Sequence, residues 1–208
     1  MKRRDFTASL ALLGSPAAWA QGAPVEGKDY VRLSTPVAVP SGGKIDVVEF
    51  FWYGCPHCNA FEPSLEAWAK KLPDSVAFRR APVSFSPMYE THAALFYALE
   101  QSGQLEALHR KTFAAIHQQR QQLENLAEIS TFVGRAGGDV ASFTEAFKSF
   151  GVATKVRQAK LLSAAYKIAG VPAIGVHGRW FTAPSMTGGF ERALAVTNHL
   201  IQLAQKPA

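Results

Sequence analysis

Residues 45–52, Ile-Asp-Val-Val-Glu-Phe-Phe-Trp, form a nearly unbroken apolar, β-branched and aromatic run. Such a run reads as a buried strand. Three residues later comes Cys55-Pro56-His57-Cys58, which holds both cysteines of the chain. Residues 56–72 then show helical periodicity, with Phe61, Leu65, Trp68 and Leu72 on one apolar stripe. Any fold built on this stretch puts a cysteine at the point where a buried strand ends and a helix begins.

With Cys55 as the N-cap, Pro56 falls at the first helical position, where its missing N–H costs nothing. His57 and Cys58 follow, and their N–H groups lack intrahelical acceptors. A thiolate at Cys55 would collect those bonds and the positive end of the helix dipole. A protonated His57 would add a second positive charge. These effects predict a Cys55 pKa well below the free-thiol value of about 8.5. Stabilising the thiolate stabilises the reduced form, so the Cys55–Cys58 disulfide is expected to be a strong oxidant. Three alternatives compete with a redox dithiol. A structural disulfide would close too short a loop to gain much chain entropy. A closed zinc site would need more ligands than two cysteines and one histidine. Covalent haem attachment needs a histidine at position 59, which is Asn.

The same segment resembles the DsbA family of bacterial thiol:disulfide oxidoreductases. The resemblance rests on Glu49-Phe50-Phe51, Cys55-Pro56-His57-Cys58 and Phe61-Glu62-Pro63, joined further on by Gly170-Val171-Pro172. It runs from about residue 28 to about residue 205. It implies an α/β architecture, a thioredoxin-like fold with an inserted all-helical domain. It also implies a cis Val171–Pro172 bond facing the cysteines, where an extended substrate could pair with the backbone at Val171. The base rate for X-Pro bonds alone favours trans.

The N-terminus reads as an export signal over residues 1–20: a basic start at Lys2-Arg3-Arg4, a short apolar stretch, and Ala18-Trp19-Ala20 before the cut. Arg3-Arg4-Asp5-Phe6 also resembles a twin-arginine signal, so two export routes stay open. Either route leads to a compartment where disulfides persist. The formal charge of +6 falls to +4 without Lys2, Arg3, Arg4 and Asp5. The basic residues are scattered and no nucleic-acid motif accompanies them, which argues against nucleic-acid binding.

The expected organisation is a first thioredoxin-like part over residues 21–87, a helical insertion over 88–169 and a second thioredoxin-like part over 170–208. Short strands are predicted at Tyr30–Leu33, Val76–Val83, Ala173–His177 and Arg179–Thr182. Ser41-Gly42-Gly43 makes a turn. Pro63 should kink the first helix. Helices are predicted at Tyr89–Gln101, Leu105–Gln119, Leu126–Ala136, Val140–Phe150, Ala153–Ala169 and Phe190–Ala204. Asn125 with Glu128 suggests a capping box, and Asp139 a cap for the next helix. His92, His109 and His117 are expected on helix surfaces or in satisfied core positions.

Glu49 stands out, because both faces of its strand are largely apolar. A buried carboxylate there should have a raised pKa, and the resemblance implies a proton relay for the inner cysteine. The competing reading is a carboxylate that reaches water at a sheet edge.

The leading expectation is an exported oxidase that introduces disulfides into reduced polypeptides, acting as a monomer. Cys55 is attacked, Cys58 is its buried partner, and His57 with the helix end, beginning at Pro56, stabilises the thiolate. Pro172 shapes the substrate site and Glu49 moves protons. No cofactor is expected beyond the Cys55–Cys58 disulfide. The resemblance implies a periplasmic location and reoxidation by a DsbB-type membrane partner linked to quinone. A reductase or isomerase of the same fold is one alternative. A non-catalytic copper-binding or chaperone protein is another.

Overall fold

The computed structural model describes residues 22–39 and 42–206. The expected export signal lies outside these residues, as does Ser41 of the expected turn. In chain order the elements are β1 (Val31–Arg32), β2 (Ile45–Phe51), α1 (Pro56–Ala69), β3 (Val76–Pro82) and α2 (Pro87–Gln101). Next come α3 (Leu105–His117), α4 (Leu126–Arg135), α5 (Val140–Lys148) and α6 (Phe150–Ala165). The chain closes with β4 (Ala173–Val176), β5 (Trp180–Thr182), α7 (Pro184–Thr187) and α8 (Phe190–Gln205).

The five strands form one sheet in the order β1-β5-β4-β2-β3. Only β2 and β3 run parallel; β4 is antiparallel to both β2 and β5, and β5 to β1. Interior strand β2 is buried along its whole length, as its apolar run requires. Its alternation sorts two cores. Val48 and Phe50 face a core shared with α2–α6, whereas Ile45 and Val47 pack with Phe61, Leu65, Ile174 and Leu200. The helical insertion thus adds its core to one face of the sheet. Phe50 and Phe51 have no exposed surface, and burying each contributes roughly 1.5–3 kcal/mol.

The helix starts follow local chemistry. Proline opens α1, α2 and α7 at the first turn. Asn125 accepts from the Glu128 N–H and caps α4, while the Glu128 carboxylate reaches back to the Glu124 N–H rather than to that of Asn125. Asp139 accepts from the N–H groups of Ala141 and Ser142 and caps α5. One boundary differs from expectation. The break between α5 and α6 falls at Ser149, not at Gly151, because the Ser149 hydroxyl accepts from the Val152 N–H and starts the new helix. Helix α6 also ends earlier than predicted. Lys167 adopts φ 56° and the Ile168 N–H returns to the Ser163 carbonyl, which closes the helix. Helix α1 runs across Pro63 and ends at Ala69, three residues before Leu72.

Candidate active site

The site begins where β2 stops. After Phe51 the chain turns through Trp52-Tyr53-Gly54, and the Cys55 N–H donates to the Trp52 carbonyl at 3.0 Å. The Trp52 indole folds back over the turn and stacks on Tyr89, with ring centroids 3.9 Å apart. A Cβ at position 54 would collide with that indole, so the turn needs glycine there.

Cys55 is the N-cap of α1, with extended backbone (φ −82°, ψ 117°), and its Sγ accepts from the Cys58 N–H at 3.4 Å. Both thiols are free. Their surroundings drive them in opposite directions. Cys55 is lowered to about 6, mainly by the hydrogen bond from the Cys58 thiol. The N–H groups of Cys58 and His57 add to this, while burial opposes it. The charge of the exposed His57 is the smallest of the favourable contributions. Sequence reasoning named the helix end and His57 but missed the Cys58 S–H. Cys58 has no exposed surface, and burial pushes its thiol far above the ordinary range. The neighbouring Cys55 and Glu49 push it further.

The loop after α6 closes over the front. The Val171–Pro172 peptide is cis, and the Val171 carbonyl lies 3.4 Å from Cys55 Sγ. An apolar groove of about 600 Å³ extends from this point along His57, Val171, Pro172, Phe181, Met186 and Phe190.

Behind the cysteines lies a buried charge cluster. Glu49 is fully buried on interior strand β2, not at a sheet edge. Its Oε2 accepts from Arg80 Nε at 3.0 Å, and its Oε1 has no partner among the described residues. Burial raises its pKa to about 8; Arg80 opposes the rise, and Glu62 and Cys55 add to it. Arg80 Nη2 donates to Glu62, which is 2% exposed on α1. His109 on α3 places Nε2 3.5 Å from Glu62 Oε1. Its Nδ1 lies 2.8 Å from the Tyr53 hydroxyl. His117 Nε2 lies 2.8 Å from the Tyr53 carbonyl. Among the described residues, no group of three or more His, Cys, Asp or Glu side chains is placed to hold a metal ion.

A strand-to-helix cysteine pair facing a cis-proline loop is one comparison away from a family. Residues 46–195 match the family model described as a DSBA-like thioredoxin domain. The chain belongs to that family. A relative from Azotobacter vinelandii, named thiol:disulfide interchange protein DsbA, is 42% identical over 195 residues, covering 93% of this chain and 91% of that protein. The Pseudomonas aeruginosa protein of the same name is 40% identical over 176 residues, covering 85% and 83%. The crystal structure of Pseudomonas aeruginosa DsbA superposes with a TM-score of 0.85 at 38% identity, covering 88% of this chain and 95% of that one. A DsbA structure from Xylella fastidiosa gives 0.81 at 29% identity, covering 88% and 98%. The sheet and its helical insertion are therefore the thioredoxin-like fold of DsbA proteins, as the sequence resemblance implied.

All seven residues singled out in the sequence of this DsbA-family chain lie around the cysteines. Cys55, Pro56, His57 and Cys58 form the first turn of α1, Glu49 lies on the strand beneath, and Val171-Pro172 lie in front. The sequence reading missed Arg80, Glu62, His109 and Tyr53. One of them carried a signal. Cys58, Phe61, Glu62 and Leu65 are spaced i, i+3, i+4, i+7, the buried face of α1, so periodicity puts Glu62 in the core. Arg80, on β3, turns its guanidinium inward to two buried carboxylates, Glu49 and Glu62.

Proposed function

We propose that this thiol:disulfide oxidoreductase works as an oxidase, transferring its Cys55–Cys58 disulfide to reduced polypeptides. The observation that supports this reading is the Cys55 sulfur at the start of α1, accepting from Cys58. A thiol lowered from 9.0 to about 6 is stabilised as thiolate by at most roughly 4 kcal/mol above the ordinary thiol pKa, and by about 1.4 kcal/mol at pH 7. That energy is available only when the disulfide is broken, so it drives transfer to substrate.

A substrate thiolate attacks Cys55 Sγ, and the Cys55–Cys58 bond breaks. Cys58 leaves with the electron pair and needs a proton, because its buried thiolate is costly. Glu49, raised to about 8, carries one at neutral pH. A second substrate thiolate then attacks the substrate sulfur of the mixed disulfide. Cys55 leaves as thiolate, the substrate disulfide is complete, and two electrons reside on the cysteine pair. The backbone at Val171, held by Pro172, pairs with an extended substrate beside Cys55, and the apolar groove takes its neighbouring side chains. His57 and the helix start at Pro56 assist the thiolate.

The wider setting belongs to the same proposal. The chain is exported to the periplasm and acts as a monomer, with residues 88–169 as an insertion in the thioredoxin-like frame. A membrane partner of the DsbB type, linked to quinone, reoxidises it.

Equilibrating the protein with glutathione and reading the reduced fraction tests the direction of transfer. The expected midpoint is far more oxidising than the glutaredoxin range of about −200 to −230 mV. A midpoint inside or below that range overturns the oxidase reading in favour of a reductase.

A further inference from the structure

Two buried carboxylates, Glu49 and Glu62, share one guanidinium, Arg80. Three such groups cannot all be charged without leaving a net negative charge in the core, so one carboxylate is expected to hold a proton. Which carboxylate holds it decides whether Cys58 has a donor nearby.

His109 breaks the symmetry. Burial keeps the Tyr53 phenol protonated, pushing it well above its ordinary value, and its hydroxyl lies 2.8 Å from His109 Nδ1. Of the two neutral tautomers, the one that accepts the Tyr53 O–H at Nδ1 avoids setting an Nε2 lone pair against the Glu62 carboxylate. Burial also pushes the His109 imidazole below its ordinary value and keeps it neutral. A neutral imidazole that accepts at Nδ1 carries its proton on Nε2. That Nε2–H lies 3.5 Å from Glu62 Oε1, close enough to act electrostatically but short of a formed hydrogen bond. No comparable donor faces Glu49 Oε1 among the described residues.

We propose that His109 is a positioning residue for the buried proton donor: its Nε2–H, oriented by Tyr53, favours the charged form of Glu62 against Arg80 and so keeps the shared proton on Glu49. The idea rests on the role given to Glu49 above. It makes the helical insertion part of the proton chemistry, since His109 comes from α3. The charged and titratable groups around the imidazole are Glu62 and Glu66 on α1, Arg80 and Glu49 on the strands, Tyr53 on the active-site turn and Arg110 beside it on α3. A solvent-open groove of about 470 Å³ reaches Glu62, Arg80 and His109, with the Glu66–Arg110 pair on its lining. Proton exchange between this cluster and solvent can therefore run behind the cysteines.

The test is the rate of reduction of the oxidised protein by glutathione, expressed per glutathione thiolate, from pH 6 to pH 10. In the unaltered protein the rate should fall as pH rises through about 8, where Glu49 loses its proton. In His109→Phe the fall should begin about one pH unit lower. His109→Gln, whose amide can still donate to Glu62, should recover most of the difference. Tyr53→Phe frees the tautomer and should shift the fall in the same direction by less. In Glu49→Gln the fall should vanish, and adding His109→Phe should change nothing further. If His109→Phe does not fold, the Tyr53→Phe profile decides. A fall at the same pH in folded His109→Phe, or in Tyr53→Phe where that variant decides, overturns the role of His109 alone. A flat profile in the unaltered protein removes Glu49 as the donor, and the His109 proposal with it.

Discussion

The front and the back of the cysteine pair lie one helical turn apart and obey opposite electrostatics. In front, Cys55 sits at a helix start with donors aimed at it, and its pKa falls to about 6. Behind, Cys58 and Glu49 are buried in the core, and burial raises both. Hydrogen bonding wins where donors are already directed at the sulfur. Desolvation wins where the neighbouring cation, Arg80, is already divided between two carboxylates. The contrast suits exchange chemistry, in which one sulfur must leave easily and the other must be reprotonated.

The largest expected effect is at the back. Arg80→Met keeps the length of the side chain but removes the charge shared by Glu49 and Glu62. Breaking a buried pair costs about 3–5 kcal/mol, and here the loss should appear equally in the oxidised and reduced proteins. Urea melts of both forms check this. A loss confined to one redox form would mean that the two sides are not electrostatically separate.

The next effect belongs to the front and depends on pH. The folded Cys55 pKa, about 6, is depressed below the unfolded value. Its contribution to the reduced form is therefore fully present above the unfolded pKa and is lost as pH falls through about 6. The disulfide, in turn, gains about 2 kcal/mol of chain entropy from so short a loop. Glu49 is buried in either form and largely cancels. The buried Cys58 thiol, held protonated in the fold, takes back part of the Cys55 contribution above the ordinary thiol range. The reduced protein should therefore be the more stable by roughly 1 kcal/mol at pH 8.5, and the oxidised protein by about 2 kcal/mol at pH 5. Paired melts at those two pH values should show the order reverse. An oxidised form that is more stable at both would break the thiolate account.

Two smaller effects divide the front into its parts. Cys58→Ala removes the thiol that does most to lower Cys55 and should raise the Cys55 pKa by about one to two units. His57→Ala should raise it by less than about one unit, because His57 is exposed and contributes least. Thiolate absorbance near 240 nm, followed with pH, gives both numbers. A larger shift from His57→Ala than from Cys58→Ala would reverse the order assigned here.

The front was legible in the sequence because its parts are neighbours along the chain. Strand, glycine, cysteine and proline follow one another, and their order dictates the N-cap. The cis bond at Pro172 came from family resemblance alone, since nothing local demands it. The back was mostly hidden. Glu49 drew notice as a charge within an apolar strand, but its partner Arg80 lies 31 residues away. His109 meets Tyr53 across 56 residues. No periodicity links such positions; only the packing of α3 against α1 and the edge strand β3 does. The short helix α7 was missed although Pro184 marks its start. The α5–α6 boundary was misplaced by giving Gly151 more weight than the Ser149 hydroxyl.

The sheet topology also bears on the order in which the molecule can assemble. Strand β2 reaches its antiparallel partner through Val47 and Val176, positions 129 residues apart by subtraction. Pairing across such a separation is slow to form compared with the local β2–α1–β3 unit and the helices between. Central strand β4 and its partner β5 follow helices α2–α6 in the chain, so the sheet cannot close until all of those helices have been made. Until then the Val171–Pro172 segment is not in place against the cysteines. A chain emerging N-terminus first therefore presents Cys55 and Cys58 to its surroundings well before it can bind a substrate in the groove. Its own oxidation state during biogenesis is then set by whatever thiols and disulfides it meets on the way.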